Sequence, residues 1–122
     1  TLKKELIAKA VERHGVKVVV YRGEANVDAI KDLAFQIKGE SNMDEKVFFV
    51  AGIKDGAKCA LMVMLSEPLV ADGLDASKLV KDAARLIHGG GGGQAHFATA
   101  GGKNSDGLAQ AVDQILEAAD LK

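Results

Sequence analysis

The sequence predicts an α/β (α+β) fold with a single mixed β-sheet of about four strands flanked by helices. Helix-spaced apolar positions alternate along the chain with short runs of β-branched apolar residues, and this interleaving is typical of the class. An Asp-Gly pair between two apolar runs adds a β-hairpin to the predicted sheet. The chain has 122 residues, which is enough for one hydrophobic core, and with few aromatic residues that core must consist mainly of Val, Leu, Ile and Ala.

The N-terminal segment, residues 2–13, predicts a helix because its apolar residues fall near helical spacing, and Gly15 is the predicted stop. The chain begins with Thr1 rather than Met, within this helical pattern. We therefore expect residues 1–15 to be the end of a helical linker from a longer protein, and residues 16–122 to be the globular domain. An amphipathic helix packed on the domain is the alternative interpretation.

The middle of the chain predicts a strand, a helix and a hairpin in that order. Val16–Tyr21 is β-branched and, after Lys17, apolar on both faces, which is typical of an interior strand. Asn26 is a suitable N-cap for a helix that ends at Gly39. The apolar runs 47–53 and 58–65 then flank the Asp-Gly pair, so they form the predicted hairpin, which ends before a proline.

The second half of the chain predicts a basic helix, beginning at Asp75 or Ser77. Lys78, Lys81 and Arg85 are spaced by three and four residues, so they line one exposed face of this helix. The opposite face carries a predicted buried stripe of Leu79, Val80, Ala83, Ala84, Leu86 and Ile87. The basic face is either a contact surface for an anionic partner or an ordinary solvated helix face.

The most distinctive stretch of the sequence is Gly89–Gly93. Five consecutive glycines lose so much backbone freedom on folding that we expect a loop rather than a helix or strand. Peptide N–H groups without Cβ atoms beside them can bind anionic oxygens, which favours a phosphate-binding loop over a surface loop without a ligand. No Gly-Lys-Ser/Thr follows, and the strand–glycine–helix order of the dinucleotide fingerprint is reversed, so the common mononucleotide sites are disfavoured.

The last elements are a short strand at His96–Ala100, broken by Gly101-Gly102, and a final helix capped by Ser105. Positive charge is concentrated in this part of the chain. Residues 77–104 contain four basic residues and one acidic residue, a balance of +3, whereas the remainder carries 12 basic and 16 acidic residues, a balance of −4. The charge pattern therefore points to an anionic partner near the glycines.

No catalytic or metal site is predicted. Cys59 lies in an apolar run and is interpreted as a small buried residue, and a single cysteine excludes an internal disulfide. His88 and His96 flank the glycines and are candidates for phosphate or base contact, although a half-buried structural role for His96 is the alternative. No carboxylate or cysteine is at metal-ligand spacing to them. The sequence shows neither a membrane-spanning segment nor a signal peptide, so we expect a cytoplasmic protein.

The glycine run, continued by Gln94-Ala95-His96-Phe97-Ala98-Thr99-Ala100-Gly101-Gly102 and a leucine-containing helix, resembles the DHH-associated family. This family supplies the C-terminal domain of alanyl-tRNA synthetases and the substrate-binding module of DHH-type phosphoesterases. Gln94 stands where many of the synthetases have arginine, which removes a bidentate phosphate donor. The phosphoesterases have histidine at this place, so Gln94 argues against that branch.

The resemblance implies that the parent is an alanine–tRNA ligase acting in protein biosynthesis, with ATP and Mg²⁺ for aminoacylation and zinc in its editing region. It implies that this domain contains no catalytic residue or cofactor, contacts the elbow of tRNA(Ala) and couples aminoacylation to editing. It also implies a homodimer through the absent helical region. The alternatives are an oligonucleotide-binding module of a phosphoesterase and a protein-contact domain acting through the first helix. The candidate RNA-binding residues are Lys78, Lys81, Arg85, His88, Gly89, Gly90, Gly91, Gly92, Gly93, Gln94, His96 and Lys103.

Overall fold

The protein folds around one six-stranded mixed β-sheet with helices on both faces. The computed structural model describes residue 8 and residues 10–40 and 45–119. The strands are β1 (Val11–Arg13), β2 (Val16–Glu24), β3 (Val47–Asp55), β4 (Lys58–Leu65), β5 (Gly90–Gly93) and β6 (Phe97–Gly102). The helices are α1 (Val27–Glu40), α2 (Glu67–Ala71), α3 (Ala76–Ala84) and α4 (Leu108–Ala118), with 3₁₀ turns at Arg85–Ile87 and Ser105–Gly107.

The strand order across the sheet is β1-β2-β3-β4-β6-β5. β2 and β3 are parallel and are connected by the crossover helix α1, whereas the other neighbouring strands are antiparallel. The predicted fold class is confirmed, but the sheet has six strands rather than about four. The two additional strands, β1 and β5, lie at the edges, where the sequence predicted the end of a helix and a loop.

The helix predicted over residues 2–13 is wrong at its C-terminal end, because Val11–Arg13 form β1 and pair with β2. His14 and Gly15 both have positive φ, 54° and 79°, so they make the tight primed turn that suits a two-residue hairpin. Gly15 therefore turns a hairpin instead of ending a helix. Residues 2–7 and 9 of the predicted helix lie outside the described residues, and the division between 1–15 and 16–122 stays a prediction.

The core has two parts because alternate residues of the central strands face opposite sides of the sheet. On one side, residues such as Phe48 and Val50 pack under α2, α3 and α4. On the other side, Phe49 and Ala51 pack under α1. β3 and β4 are thus buried on both faces, which explains their nearly continuous apolar sequences.

Several predicted element ends are confirmed. The Asn26 side chain accepts hydrogen bonds from the backbone N–H groups of Asp28 and Ala29 at 2.9 and 3.2 Å, and so caps α1. Asp75 caps α3 by accepting from two backbone N–H groups. The β3–β4 hairpin is also confirmed, with Gly56 (φ 65°) at the first central position of its turn.

Other predicted ends are wrong. α1 runs one residue past Gly39, and Gly101-Gly102 continue β6 instead of breaking it. Ser105 lies in a 3₁₀ turn before α4 and does not act as its cap. At Gly101 and Gly102, pairing of β6 with β4 and β5 overrides the local preference of glycine.

Candidate nucleic-acid interface

The five glycines do not form a loop, which corrects the prediction: Gly90–Gly93 form the edge strand β5 and pair antiparallel with β6. The reason is close approach between the two strands. A Cβ atom on Gly89 or Gly91 would overlap a backbone carbonyl oxygen of β6, and one on Gly93 would lie 2.6 Å from the Phe97 oxygen. Only glycine permits this spacing, so the absence of side chains serves strand pairing as well as leaving the backbone accessible.

Every second glycine of β5 presents its backbone to solvent. The β5–β6 turn is closed by a 2.8 Å hydrogen bond from Gln94 N to the carbonyl oxygen of the first residue of β6. In an antiparallel ladder alternate residues bond to the partner strand, so Gly92 and Gly90 bond to β6. The N–H and C=O groups of Gly91 and Gly93 are therefore directed to the open edge of the sheet, where both residues are exposed.

Helix α3 packs alongside β5 and is fastened at both ends of the strand. Ala76 N donates to the Ala95 oxygen at 2.9 Å at one end, and Gly89 N donates to the Ala84 oxygen at 3.0 Å at the other. The side chain of Lys81 reaches across, because its Cε lies 3.3 Å from the position that a Cβ would occupy on Gly92. Lys78 and Lys81 of α3, and Arg85 in the 3₁₀ turn that follows it, are all exposed, as predicted.

Two more candidate residues lie at the end of β5 near the last turn of α3. His88 is exposed and adopts the left-handed conformation (φ 52°) after the 3₁₀ turn. Lys103, at the end of β6, is exposed and its backbone N–H donates to the Ile87 oxygen at 3.0 Å. Asn104, which the sequence analysis did not single out, fastens this corner by donating from Nδ2 to the Leu86 oxygen at 3.2 Å.

Gln94 and His96 lie at the opposite end of the β5–β6 pair. His96 is half-buried and lines a groove of about 400 Å³ with Lys38, Glu67, Val70 and Ala71. The six residues of β6 separate this end from Lys103 by roughly 20 Å. The twelve candidate residues thus form a band along one sheet edge instead of surrounding a single loop. We call this set the glycine-edge band.

The cations of the glycine-edge band are not neutralised by neighbouring acids. Among the described residues, the side-chain ion pairs join Arg22 to Asp113, Lys46 to Asp72 and Lys54 to Glu24. None of these pairs involves Lys78, Lys81, Arg85 or Lys103. The band therefore presents available positive charge beside free peptide N–H groups, an arrangement suited to anionic oxygens.

Cys59 has no place in this site. It is buried, as predicted, and burial raises the pKa of its thiol, an effect partly offset by backbone hydrogen bonds from Gly102 and Asn104. In the part of the chain that the structure describes, no three His, Cys, Asp or Glu side chains are grouped to hold a metal ion. No described helix is both long and apolar enough to cross a membrane.

The structure also shows an aromatic pair that the sequence analysis missed. Phe35 of α1 stacks on Phe97 of β6, with ring centroids 4.8 Å apart and ring planes inclined by 23°. Phe35 is 43% exposed. One signal in the sequence points to it: Phe35 lies off the helix stripe formed by Ile30, Leu33, Ala34 and Ile37, at a position where a polar residue is expected.

Comparison with known proteins shows which family the sequence matches. The model of the DHHA1 domain family matches residues 15–121. The chain is 55% identical over 121 residues to the alanine–tRNA ligase of Parabacteroides distasonis, and 51% identical over 121 residues to that of Bacteroides thetaiotaomicron. Each match covers 99% of this chain and 14% of the relative. The chain therefore spans only a small part of the length of these ligases.

Two solved structures share the fold. The C-Ala domain of Aquifex aeolicus alanyl-tRNA synthetase matches with a TM-score of 0.72 and 22% identity, covering 93% of this chain and 99% of that domain. A DHH-domain structure described as a member of the s1p family of ribosomal proteins matches with a TM-score of 0.66 and 13% identity, covering 99% of this chain and 30% of that one. At these identities the likeness shows the fold alone.

Proposed function

The chain belongs to the DHHA1 domain family, and from this premise we propose that it is the tRNA-binding C-terminal domain of an alanine–tRNA ligase. The observation that carries the proposal is the glycine-edge band, where four cations form no ion pair among the described residues and Lys81 lies across Gly92 of β5. The names of the similar curated proteins, which are alanine–tRNA ligases, support tRNA(Ala) as the RNA.

The band is suited to the phosphate backbone rather than to base edges. The free N–H groups of Gly91 and Gly93 are donors for phosphate oxygens, and Lys78, Lys81 and Arg85 supply charge along the same edge. Contacts of this kind recognise the shape of a folded RNA and not its sequence. If the four cations each neutralise one phosphate, log affinity falls with log salt concentration with a slope of roughly −3.

In the parent ligase, this domain contacts the tRNA elbow and holds one tRNA within reach of both the aminoacylation and the editing centres. The ATP, Mg²⁺ and zinc of those centres belong to other regions of the parent, which acts in the cytoplasm as a homodimer. The domain itself contributes positioning and no bond-breaking step, since its candidate residues are backbone amides, cations and amide or imidazole side chains.

A substrate-binding module of a DHH-type phosphoesterase is the second candidate function. The structural likeness to a DHH-domain protein favours it, but at 13% identity that likeness concerns the fold only. Relatives with 50–55% identity to this chain are named as ligases. Binding of short oligonucleotides in preference to folded tRNA would favour the phosphoesterase function.

The proposal is tested by measuring the affinity of the 122-residue chain for a tRNA(Ala) transcript and for an unrelated RNA hairpin of equal length, at two salt concentrations. We expect tighter binding to tRNA(Ala), weakened by salt and by Arg85→Ala combined with Lys103→Ala. The charge-matched control is Arg13→Ala with Lys17→Ala, at the opposite edge of the sheet. Equal affinity for both RNAs, or an equal loss in the control, would contradict the proposal.

A further inference from the structure

Phe35 is unusual among the large apolar side chains of the described residues. Within residues 10–40 and 45–119, only Phe35 and Val11 are prominently exposed, at 43% and 47%. Val11 lies on the edge strand β1, at the far side of the sheet from β5. Phe35 is on α1, whose core-facing residues are Ile30, Leu33, Ala34 and Ile37. An aromatic ring at an outward helix position leaves apolar surface in water without contributing to the core.

The ring of Phe35 is held in place by its neighbour. The stacked Phe97 covers one of its faces, so the exposed surface of Phe35 lies elsewhere on the ring. Phe97 begins β6, and the residue before it is bonded into the sheet through the 2.8 Å hydrogen bond from Leu65 N to the His96 oxygen. An aromatic ring has few rotatable bonds, so a ring backed by a second, sheet-anchored ring is a rigid and flat contact surface.

The backbone of Phe97 adjoins the glycine-edge band, although the aromatic pair lies on the face of the sheet covered by α1, opposite α3. Gln94 N donates to the Phe97 oxygen, and Gly93 is paired with the residue that follows Phe97. The aromatic pair is therefore next to the Gln94–His96 end of the band. The basic residues of α3 lie on the other face of the sheet.

The charges beside Phe35 are nearly balanced. Lys31 and Lys38 lie four residues before and three residues after it on α1, while Asp32 lies three residues before it, and Glu67 shares the groove with Lys38. Long-range attraction of RNA must therefore come from the band. The aromatic pair has the chemistry for a contact at short range, which is stacking.

We propose that Phe35, backed by Phe97, is a stacking platform for one nucleobase of the RNA whose phosphate backbone lies along the glycine-edge band. The inference rests on the proposed function. The occupant is a base with an open face, either unpaired or at the end of a base-paired stack, because a base inside a helix has both faces covered. Aromatic side chains accept any base in this way, so the platform adds affinity without reading sequence.

Three substitutions of Phe35 separate stacking from plain apolar contact. Phe35→Ala should weaken tRNA(Ala) binding roughly 5- to 100-fold, with no change in the salt dependence, because no charge is removed. Phe35→Leu keeps apolar bulk but removes the π face, so its loss should be nearly as large. Phe35→Trp should bind as well as the unaltered chain or better. Val11→Ala, the other exposed apolar residue, is the matched control and should have no effect.

The tryptophan variant also gives a direct readout. The chain contains no Trp, so Phe35→Trp introduces a single indole, and stacking of a base on it should quench its fluorescence as tRNA is added. Unfolding curves in urea show whether each variant remains folded.

The outcomes distinguish this inference from the proposed function. Binding by the unaltered chain that is lost on Arg85→Ala with Lys103→Ala but unchanged in Phe35→Ala overturns the platform and leaves the proposed function standing. Full binding by Phe35→Leu shows a plain apolar contact, as in protein docking, and also overturns it. An absence of RNA binding by the unaltered chain overturns both.

Discussion

Lys81 lies across Gly92: its Cε is 3.3 Å from the point that a Cβ atom would occupy on that glycine. The ammonium group is one bond further along the side chain, so it lies close to β5. Lys81 of α3 thus contacts the glycine strand β5 directly. This contact joins the two features of the site, the free peptide groups and the positive charge.

The glycines of β5 should differ sharply in their tolerance of alanine. Gly91→Ala should lower the free energy of unfolding by about 2 kcal/mol, because its Cβ would overlap the backbone of β6. Gly90→Ala should be neutral or slightly stabilising, since nothing lies within 4 Å of the added atom. Urea unfolding of both variants measures the difference. Equal stabilities would show that β5 does not pair with β6 as described.

Lys81 should contribute to RNA binding mainly through charge. Lys81→Ala should weaken tRNA(Ala) binding and reduce the slope of log affinity against log salt by about 1, the loss of one phosphate contact. Lys81→Arg keeps the charge and should keep the slope. Lys17→Ala, on β2 beside the opposite edge strand β1, is the single-charge control. If Lys17→Ala changed the slope of log affinity against log salt as much as Lys81→Ala does, the effect would come from the net charge of the protein and not from a contact made by Lys81.

Gly52 lets helix α4 approach the sheet. A Cβ on Gly52 would lie 2.9 Å from Cγ2 of Val112, so Gly52→Ala should destabilise the protein by about 1–3 kcal/mol through overpacking. Val112→Ala removes the obstructing methyl groups, and the double variant should be more stable than the sum of the single effects by about 1 kcal/mol. In the comparison pair, Gly52→Ala with Val80→Ala on α3, the two changes in the free energy of unfolding should add, as measured in the same experiment.

Cys59 should make stability depend on alkaline pH. Burial raises the pKa of its thiol above the ordinary value of 9.0, so the folded protein holds this proton more tightly than the unfolded chain does. The resulting contribution to stability is complete below pH 9.0 and is lost as the pH rises from there towards the folded-state pKa. Urea unfolding between about pH 7 and pH 10 should show a smaller decline for Cys59→Ala than for the unaltered chain. Parallel declines would refute this.

The interior of the fold could be predicted from the sequence, whereas its two edges could not. β3 and β4 follow from continuous apolar runs and a glycine turn, and α1 and α3 from their caps and stripes. At β5 the local preference of glycine argues against a strand, and only the close fit against β6 reverses it. At β1, Gly15 is compatible with a helix stop or a hairpin turn, and pairing with β2 decides between them.

The candidate site, too, could be predicted only in part. The residue types of the glycine-edge band could be predicted, because their charge and lack of side chains are visible in the sequence. Their arrangement along a strand could not, since it depends on the pairing of β5. Phe35 was missed because its significance depends on Phe97, which is 62 residues away in the chain and stacks on it only in the folded protein.

Because the peptide groups of β5 point in alternating directions, the rate of amide hydrogen exchange should alternate from one glycine to the next. The N–H groups of Gly90 and Gly92 are engaged by β6 and should exchange slowly, while those of Gly91 and Gly93 face water and should exchange quickly. A ligand that docks along the open edge would slow only the second pair. Protection appearing at every other glycine would therefore report occupancy of this edge without any change in the fold.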